Sequence, residues 1–258
     1  MFGSQNRVKQ RVREGKTVFG FVCRTLSPTI VELIGLSGFD FVWIDMEHTG
    51  ADFSTVETLC RAADASDIES LVRVPDKNPA NILRALEVGA AIVNVPQVES
   101  RAEAEAVVRA AKYAPLGRRG YCASSRGTQY GVGAKATDSF AAANERTMTM
   151  VQIESARGVD NATEICQVSG LDVVFVGLAD LSQSLGITAQ FDHPDLLDSA
   201  RRVLKASRAA GKISAMLADT PQDAAGWAAE GVQILCCGVD IPMIGKALLR
   251  VRAEFGSV

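Results

Sequence analysis

Apolar runs with little polar alternation recur along the chain, and amphipathic stretches fill the intervals between them. The runs are Thr17–Arg24, Phe39–Glu47, Ser70–Pro75, Ala90–Gln97, Thr149–Glu154, Val173–Gly177, Lys212–Leu217 and Val232–Cys237. A strand that is apolar on both faces is covered on both faces, as in a parallel sheet. The intervals carry helical signals. Ser27–Ser37 opens with Ser27 as N-cap and Pro28 in its first position, Pro79–Val88 is closed by Gly89, and Pro194–Ala210 is closed by Gly211. Phe53–Ala65, Arg101–Lys112, Ser139–Asn144, Ala156–Val168, Pro221–Ala229 and Pro242–Phe255 complete the helices. A Gly-, Ser- and Arg-rich segment, Pro115–Gly133, lies inside the repeat, and a loop runs from the sixth strand through Asp192.

Eight strand–helix units in 258 residues with no dividing linker predict a single-domain α/β fold, the (β/α)8 or TIM barrel. The length alone would also admit two small domains. A doubly wound open sheet is the runner-up, but it calls for a Gly-x-Gly-x-x-Gly turn after an early strand, and none is present.

Composition narrows the function more than the fold. At 47% hydrophobic and 22% charged, the chain is ordinary for a globular protein. A net charge of −3 with scattered Lys and Arg leaves no basic footprint, so no nucleic-acid partner is expected. No apolar run approaches the roughly 18 residues of a membrane span, and the start lacks an apolar signal core. The six cysteines show no Cys-x-x-Cys spacing and read as buried thiols in a reducing cytoplasm.

In a barrel of this kind the chemistry sits at the C-terminal strand ends. The second strand ends in Asp45-Met-Glu47-His48, the third in Arg73-Val-Pro75, the fifth in Gln152-Ile-Glu154, and the sixth leads into Ala179-Asp180-Leu-Ser182. Period-2 alternation sets Gln152 and Glu154 on one face and Val151 and Ile153 on the other. It pairs Asp45 with Glu47 and opposes Arg73 to Val72 and Val74. The fifth and sixth strands form one βαβ unit, so Glu154 and Asp180 are expected side by side at one rim. Two carboxylates that close repel unless they share a proton or a cation, and a hard divalent metal is the simplest resolution. The blander readings are a hydrogen-bonded acid pair, an Arg73 that merely partners Asp45 or Glu47, a His48 satisfied in its loop, and a His193 that caps the helix beginning at Pro194.

Together these residues resemble the HpcH/HpaI aldolase family of class II, metal-dependent pyruvate aldolases. The resemblance rests on Trp43-Ile-Asp-Met-Glu-His48, Leu71-Val-Arg-Val-Pro75, Leu86-Glu-Val-Gly89, Val95-Pro-Gln97, Arg118-Arg-Gly120, Val151-Gln-Ile-Glu154, Val176-Gly-Leu-Ala-Asp-Leu-Ser182 and Gly238-Val-Asp240, and runs from about Val18 to Phe255. It implies cleavage of a 4-hydroxy-2-oxo acid to pyruvate and an aldehyde through a pyruvate enolate. It implies Glu154 and Asp180 as ligands of Mg²⁺ or Mn²⁺, with Co²⁺ also compatible. Gln152, Ala179, Asp180 and Ser182 are then expected beside the 2-oxo acid. Arg73 and Asp45 are expected at the enolate, with His48 as base and Glu87 as the acid that raises its basicity. Glu87 departs from the family's shorter Asp there, and Ala179 stands where some relatives have Ser. The resemblance further implies a homo-oligomer, a hexamer or trimer of dimers, with the C-terminal helix exchanged over Ile241–Phe255.

A Schiff-base aldolase would need a desolvated lysine on an inward strand end, and no lysine ends a strand there. An oxaloacetate-type decarboxylase or a CoA-thioester lyase would share the same enolate core. A non-catalytic barrel scaffold is the alternative from another class.

Overall fold

The computed structural model describes residues 5–132 and 136–256. The expectation about a signal core rests in part on residues 1–4, and the long loop's Gly133 end also lies outside the described residues. The strands are β1 (Val18–Cys23), β2 (Phe41–Asp45), β3 (Glu69–Arg73), β4 (Ile92–Val95), β5 (Met148–Ile153), β6 (Val173–Val176), β7 (Ile213–Leu217) and β8 (Ile234–Val239). All pair in parallel in sequence order, and β8 returns to β1, closing an eight-stranded barrel. The helices are α1 (Arg7–Arg13), α2 (Pro28–Leu36), α3 (Phe53–Ala65), α4 (Pro79–Glu87), α5 (Arg101–Ala111), α6 (Ala136–Arg146), α7 (Ala156–Asp160), α8 (Ala162–Cys166), α9 (Leu178–Ser184), α10 (Pro194–Ala209), α11 (Pro221–Ala229) and α12 (Asp240–Glu254).

Alternation along each strand builds two cores. Outward residues such as Val42, Ile44, Val72, Val93, Val151, Ile153 and Val174 pack against the helices in one buried cluster. Inward residues such as Phe41, Trp43, Leu71, Ile92, Met148, Met150, Val173 and Phe175 fill the barrel in a second. Gly20 has no Cβ because Phe41 occupies the space: a Cβ there would stand 2.2 Å from the Phe41 ring. Val8 and Val12 join the inner cluster, so α1, which the hydrophobic pattern did not predict, plugs the barrel's N-terminal end.

Two further elements differ from expectation. The helix predicted over Ala156–Val168 breaks at Asn161 into α7 and α8, where Asn161 Nδ2 donates to Glu99 O. The loop expected after β6 contains α9, so Asp180 stands in a helix's first turn and not on a strand.

Candidate active site

The inner core turns polar one layer below the C-terminal rim. The registers Asp45↔Arg73 and Arg73↔Asn94 bring inward side chains of β2, β3 and β4 to one level. Asp45 is wholly buried. Its carboxylate accepts from Arg73 Nε at 2.9 Å, Arg73 Nη2 at 2.7 Å and Arg24 Nε at 2.9 Å. Burial pushes the Asp45 carboxyl up, but the Arg73 hydrogen bonds and charge, with Arg24, outweigh it and hold the carboxyl below its usual range. Arg73 Nη1 forms a 2.8 Å ion pair with Glu47 Oε2, without hydrogen-bond geometry. The Arg73 guanidinium also lies over the Trp43 ring, 5.3 Å from its centroid. Asp45 and Glu47 therefore hold Arg73 flat against one wall, its remaining N–H groups available to the cavity.

On the next strands Asn94 Nδ2 donates to Gln152 Oε1 at 2.6 Å, and Gln152 Nε2 donates to Glu154 Oε2 at 2.6 Å. The other Glu154 oxygen accepts from the Gln97 backbone N–H at 2.7 Å. Gln97 aims that N–H from a left-handed conformation, φ +56°, which a non-glycine residue seldom adopts. Burial drives the Glu154 carboxyl up to about 7, against the hydrogen bonds from Gln97 and Gln152; the charges of Asp180 and Glu47 push the same way as burial. Glu47 is likewise raised, first by burial and also by Asp45 and Asp180, against Arg73 and His48. A Cβ on Gly177 would stand 2.4 Å from Glu154 Oε2, so glycine at that position leaves the carboxylate its room. Glu154 and Asp180 are thus neighbours with mutual repulsion and an oxygen-only donor set. Among the described residues no three His, Cys, Asp or Glu side chains converge as a metal cage. Two carboxylates suit a hard divalent cation that completes its shell with water and ligand, as Mg²⁺ does.

His48 follows β2 at the mouth, its side chain half-exposed and its Nε2 3.7 Å from Glu47 Oε2. Ala179 and Asp180 line the same cavity. Two expected residues lie elsewhere. Ser182 is buried, its hydroxyl donating to Ala179 O and accepting from the Ala189 N–H, so it ties α9 to the following loop. Glu87 ends α4, which runs back from the rim, and sits just before β4 at the opposite end of the barrel; no contact joins it to His48 among the described residues. His193 caps α10, its Nδ1 accepting from the Asp195 N–H. Asn94, Gln97 and Arg24 were not singled out as site residues from sequence. Asn94 had a signal, being an inward polar residue within an apolar strand.

The cavity at this rim has a volume of about 540 Å³. Beyond the carboxylates it extends across the barrel under Leu178, Phe191, Leu197, Leu217 and Trp227 to Val22 and Arg24.

Comparison with known proteins places the chain in a family. The family model described as HpcH/HpaI aldolase/citrate lyase matches residues 19–247. A 5-keto-4-deoxy-D-glucarate aldolase of Shigella dysenteriae serotype 1 is 33% identical over 250 residues, covering 97% of this chain and 96% of its own. A crystal structure of an HpcH/HpaI aldolase/citrate lyase family protein from Burkholderia cenocepacia J2315 is 32% identical, with a TM-score of 0.90 and coverage of 98% of this chain and 100% of the other. That of the citrate synthase SbnG is 34% identical, with a TM-score of 0.88 over 95% and 96% of the two chains. A match of this length, with an aldolase a third identical from end to end, makes this chain a member of the HpcH/HpaI aldolase/citrate lyase family, and with it a carbon–carbon lyase.

Proposed function

We propose that the enzyme cleaves the C3–C4 bond of a 4-hydroxy-2-oxo acid, giving pyruvate and an aldehyde by way of a pyruvate enolate. The observation that carries this reading is the meeting of Glu154 and Asp180 beside Arg73 in one cavity. Held by those two carboxylates, a divalent cation, Mg²⁺ or Mn²⁺ with Co²⁺ also compatible, supplies Lewis-acid polarisation of the 2-oxo group. Gln152 and the Gln97 N–H orient Glu154. Ala179 contributes its backbone to the bound 2-oxo acid. Arg73, fixed by Asp45 and Glu47, offers N–H donors to the oxygen on which enolate charge develops. His48 takes the proton from the C4 hydroxyl, directly or through water.

The likeness to a citrate synthase supports a second reading, in which the enzyme works toward bond formation. The same residues serve both directions, because cleavage and condensation share one transition state. A homo-oligomer, hexameric or a trimer of dimers with α12 exchanged, and a cytoplasmic setting for the free thiols belong to the same proposal.

The test is turnover of 4-hydroxy-2-oxo acids, measured with and without EDTA, together with condensation of pyruvate with aldehydes. Activity is expected to vanish on chelation and return with Mg²⁺ or Mn²⁺. Full turnover in EDTA would exclude the metal-dependent reading.

A further inference from the structure

The cavity has two ends, and the reaction as proposed uses one. Glu154, Asp180 and Arg73 occupy the side formed by β3, β5 and α9. The opposite side is formed by β7, β8 and β1, where Val22, Leu217, Val239 and Trp227 face the space and Asp219 and Asp223 stand at its α11 edge. Arg24 is the basic side chain on this side.

Its setting is built. The Arg24 backbone N–H donates to Asp240 Oδ1 at 2.9 Å, and the next residue's N–H and hydroxyl both donate to Asp240 Oδ2. Asp240 is wholly buried. The side chain is fixed at a second point, where Nε donates to the buried Asp45 at 2.9 Å. Beyond that point nothing holds it. Neither Nη atom donates to any group among the described residues, and the side chain is 35% exposed. Arg73, by contrast, has all three nitrogens engaged by Asp45 or Glu47. A guanidinium anchored through backbone and Nε, with both terminal nitrogens unengaged at the cavity wall, can receive a planar anion.

We propose that Arg24 is a specificity-determining residue that receives a carboxylate at the far end of the aldehyde half. This rests on the aldolase reading and narrows its substrate class. Arg24 then selects an aldehyde half that ends in a carboxylate over a neutral one of the same length. Asp192, Asp219 and Asp223, all exposed at the cavity's edge, reinforce the selection. An anionic tail directed outward would meet their charge, so it turns inward to Arg24.

The experiment uses the full-length enzyme and its R24Q variant. Arg73 still holds Asp45 in that variant, so the barrel folds. Pyruvate with Mg²⁺ is offered ω-oxo carboxylates of three to five carbons, alkanals in which an isopropyl group replaces the carboxylate, and glyceraldehyde. The wild-type enzyme is expected to favour a carboxylate acceptor over its isopropyl counterpart, and R24Q to lower that kcat/KM ratio roughly 100-fold. Equal losses on both acceptors, or a wild-type preference for the alkanal or glyceraldehyde, would overturn the assignment. Two further readouts separate this from the aldolase reading itself. Exchange of the pyruvate methyl protons with deuterium reports enolate formation with no aldehyde present. Calorimetric binding of 2-oxohexanedioate against 2-oxohexanoate reports the tail site without turnover, and the diacid's advantage should be lost in R24Q. Exchange without a tail effect defeats the Arg24 assignment alone; a tail effect without exchange upholds Arg24 and defeats the aldolase reading.

Discussion

Glu154 shows how one buried residue ties electrostatics to ligand binding. Its carboxyl titrates near 7, well above the ordinary 4.5, chiefly because burial disfavours the charge. Its folded-state pKa is raised, so between about pH 4.5 and 7 the folded chain binds a proton that the unfolded chain has lost. Stability of the metal-free protein therefore falls as pH rises through that window, by about 3 kcal/mol in all. Urea unfolding in EDTA across the window should show that slope in the wild-type protein and lose it in Glu154→Gln; identical slopes would refute the assignment. Proton and cation compete for the same oxygens, so Mn²⁺ affinity should fall by up to tenfold per unit below about pH 7, and E154Q should bind no Mn²⁺ while remaining folded. Arg73 allows a second prediction. Replacing it by alanine would leave Asp45 and Glu47 buried without their partner and confuse stability with catalysis. Arg73→Lys keeps the charge and loses the planar fork, so kcat should drop about 100-fold or more, a loss of ~3 kcal/mol at the developing enolate. A change below tenfold would mean that Arg73 does not touch that oxygen.

At the scale of elements, the site depends on where β5, β6 and α9 end and begin. The Gly177 φ of −89° is open to any residue, so Gly177→Ala adds no backbone strain. It adds a Cβ 2.4 Å from Glu154 Oε2. The Cβ also stands 2.8 Å from Glu154 Cβ, so the end of β5 must give as well as the carboxylate; Mn²⁺ affinity is expected to drop at least tenfold together with a lower melting temperature, and unaltered affinity would show that Glu154 is not held where its ligand needs it. The strand pattern was legible because strands buried on both faces leave continuous apolar runs, and all eight were found. Inward alternation likewise made Asp45, Arg73, Gln152 and Glu154 readable. What escaped was set by tertiary contact. α1 is short and polar apart from Val8 and Val12, and its place is decided by the barrel end it fills. α9 follows Gly177 with no side-chain cap, so nothing local announced it. Ser182 shares its motif with Asp180, yet one turn of α9 carries its hydroxyl to the loop at Ala189. Arg24 stood at a strand end, where the rule that found Arg73 would also have found it.

For the molecule as a whole, α12 is the anomaly. In a (β/α)8 barrel the last helix ordinarily covers the last strands, yet Leu248 is 65% exposed, Leu249 73% and Phe255 72%. The surface it would cover is open too: Phe19, Pro221, Ala224, Ala228 and Cys237 line a groove between β1 and α11. Among the described residues no segment covers the apolar face of α12 or fills the apolar groove. The exchange of α12 between copies proposed above would satisfy both at once, and a closed ring of such exchanges would leave no free groove. The same helix starts at Asp240, the residue that clamps the backbone at Arg24. Under the proposed exchange, assembly and the far end of the cavity would be mechanically joined. Replacing Leu248 and Leu249 together by Asp places two charges where the groove would receive them. Light scattering is expected to show the oligomer falling to a smaller species, with barrel circular dichroism retained. Acceptor selectivity should weaken together with assembly, since α12 no longer steadies Asp240. An unchanged mass would mean that α12 covers no partner, and a lower mass with selectivity intact would mean that Asp240 holds the β1 end without help from the helix it begins.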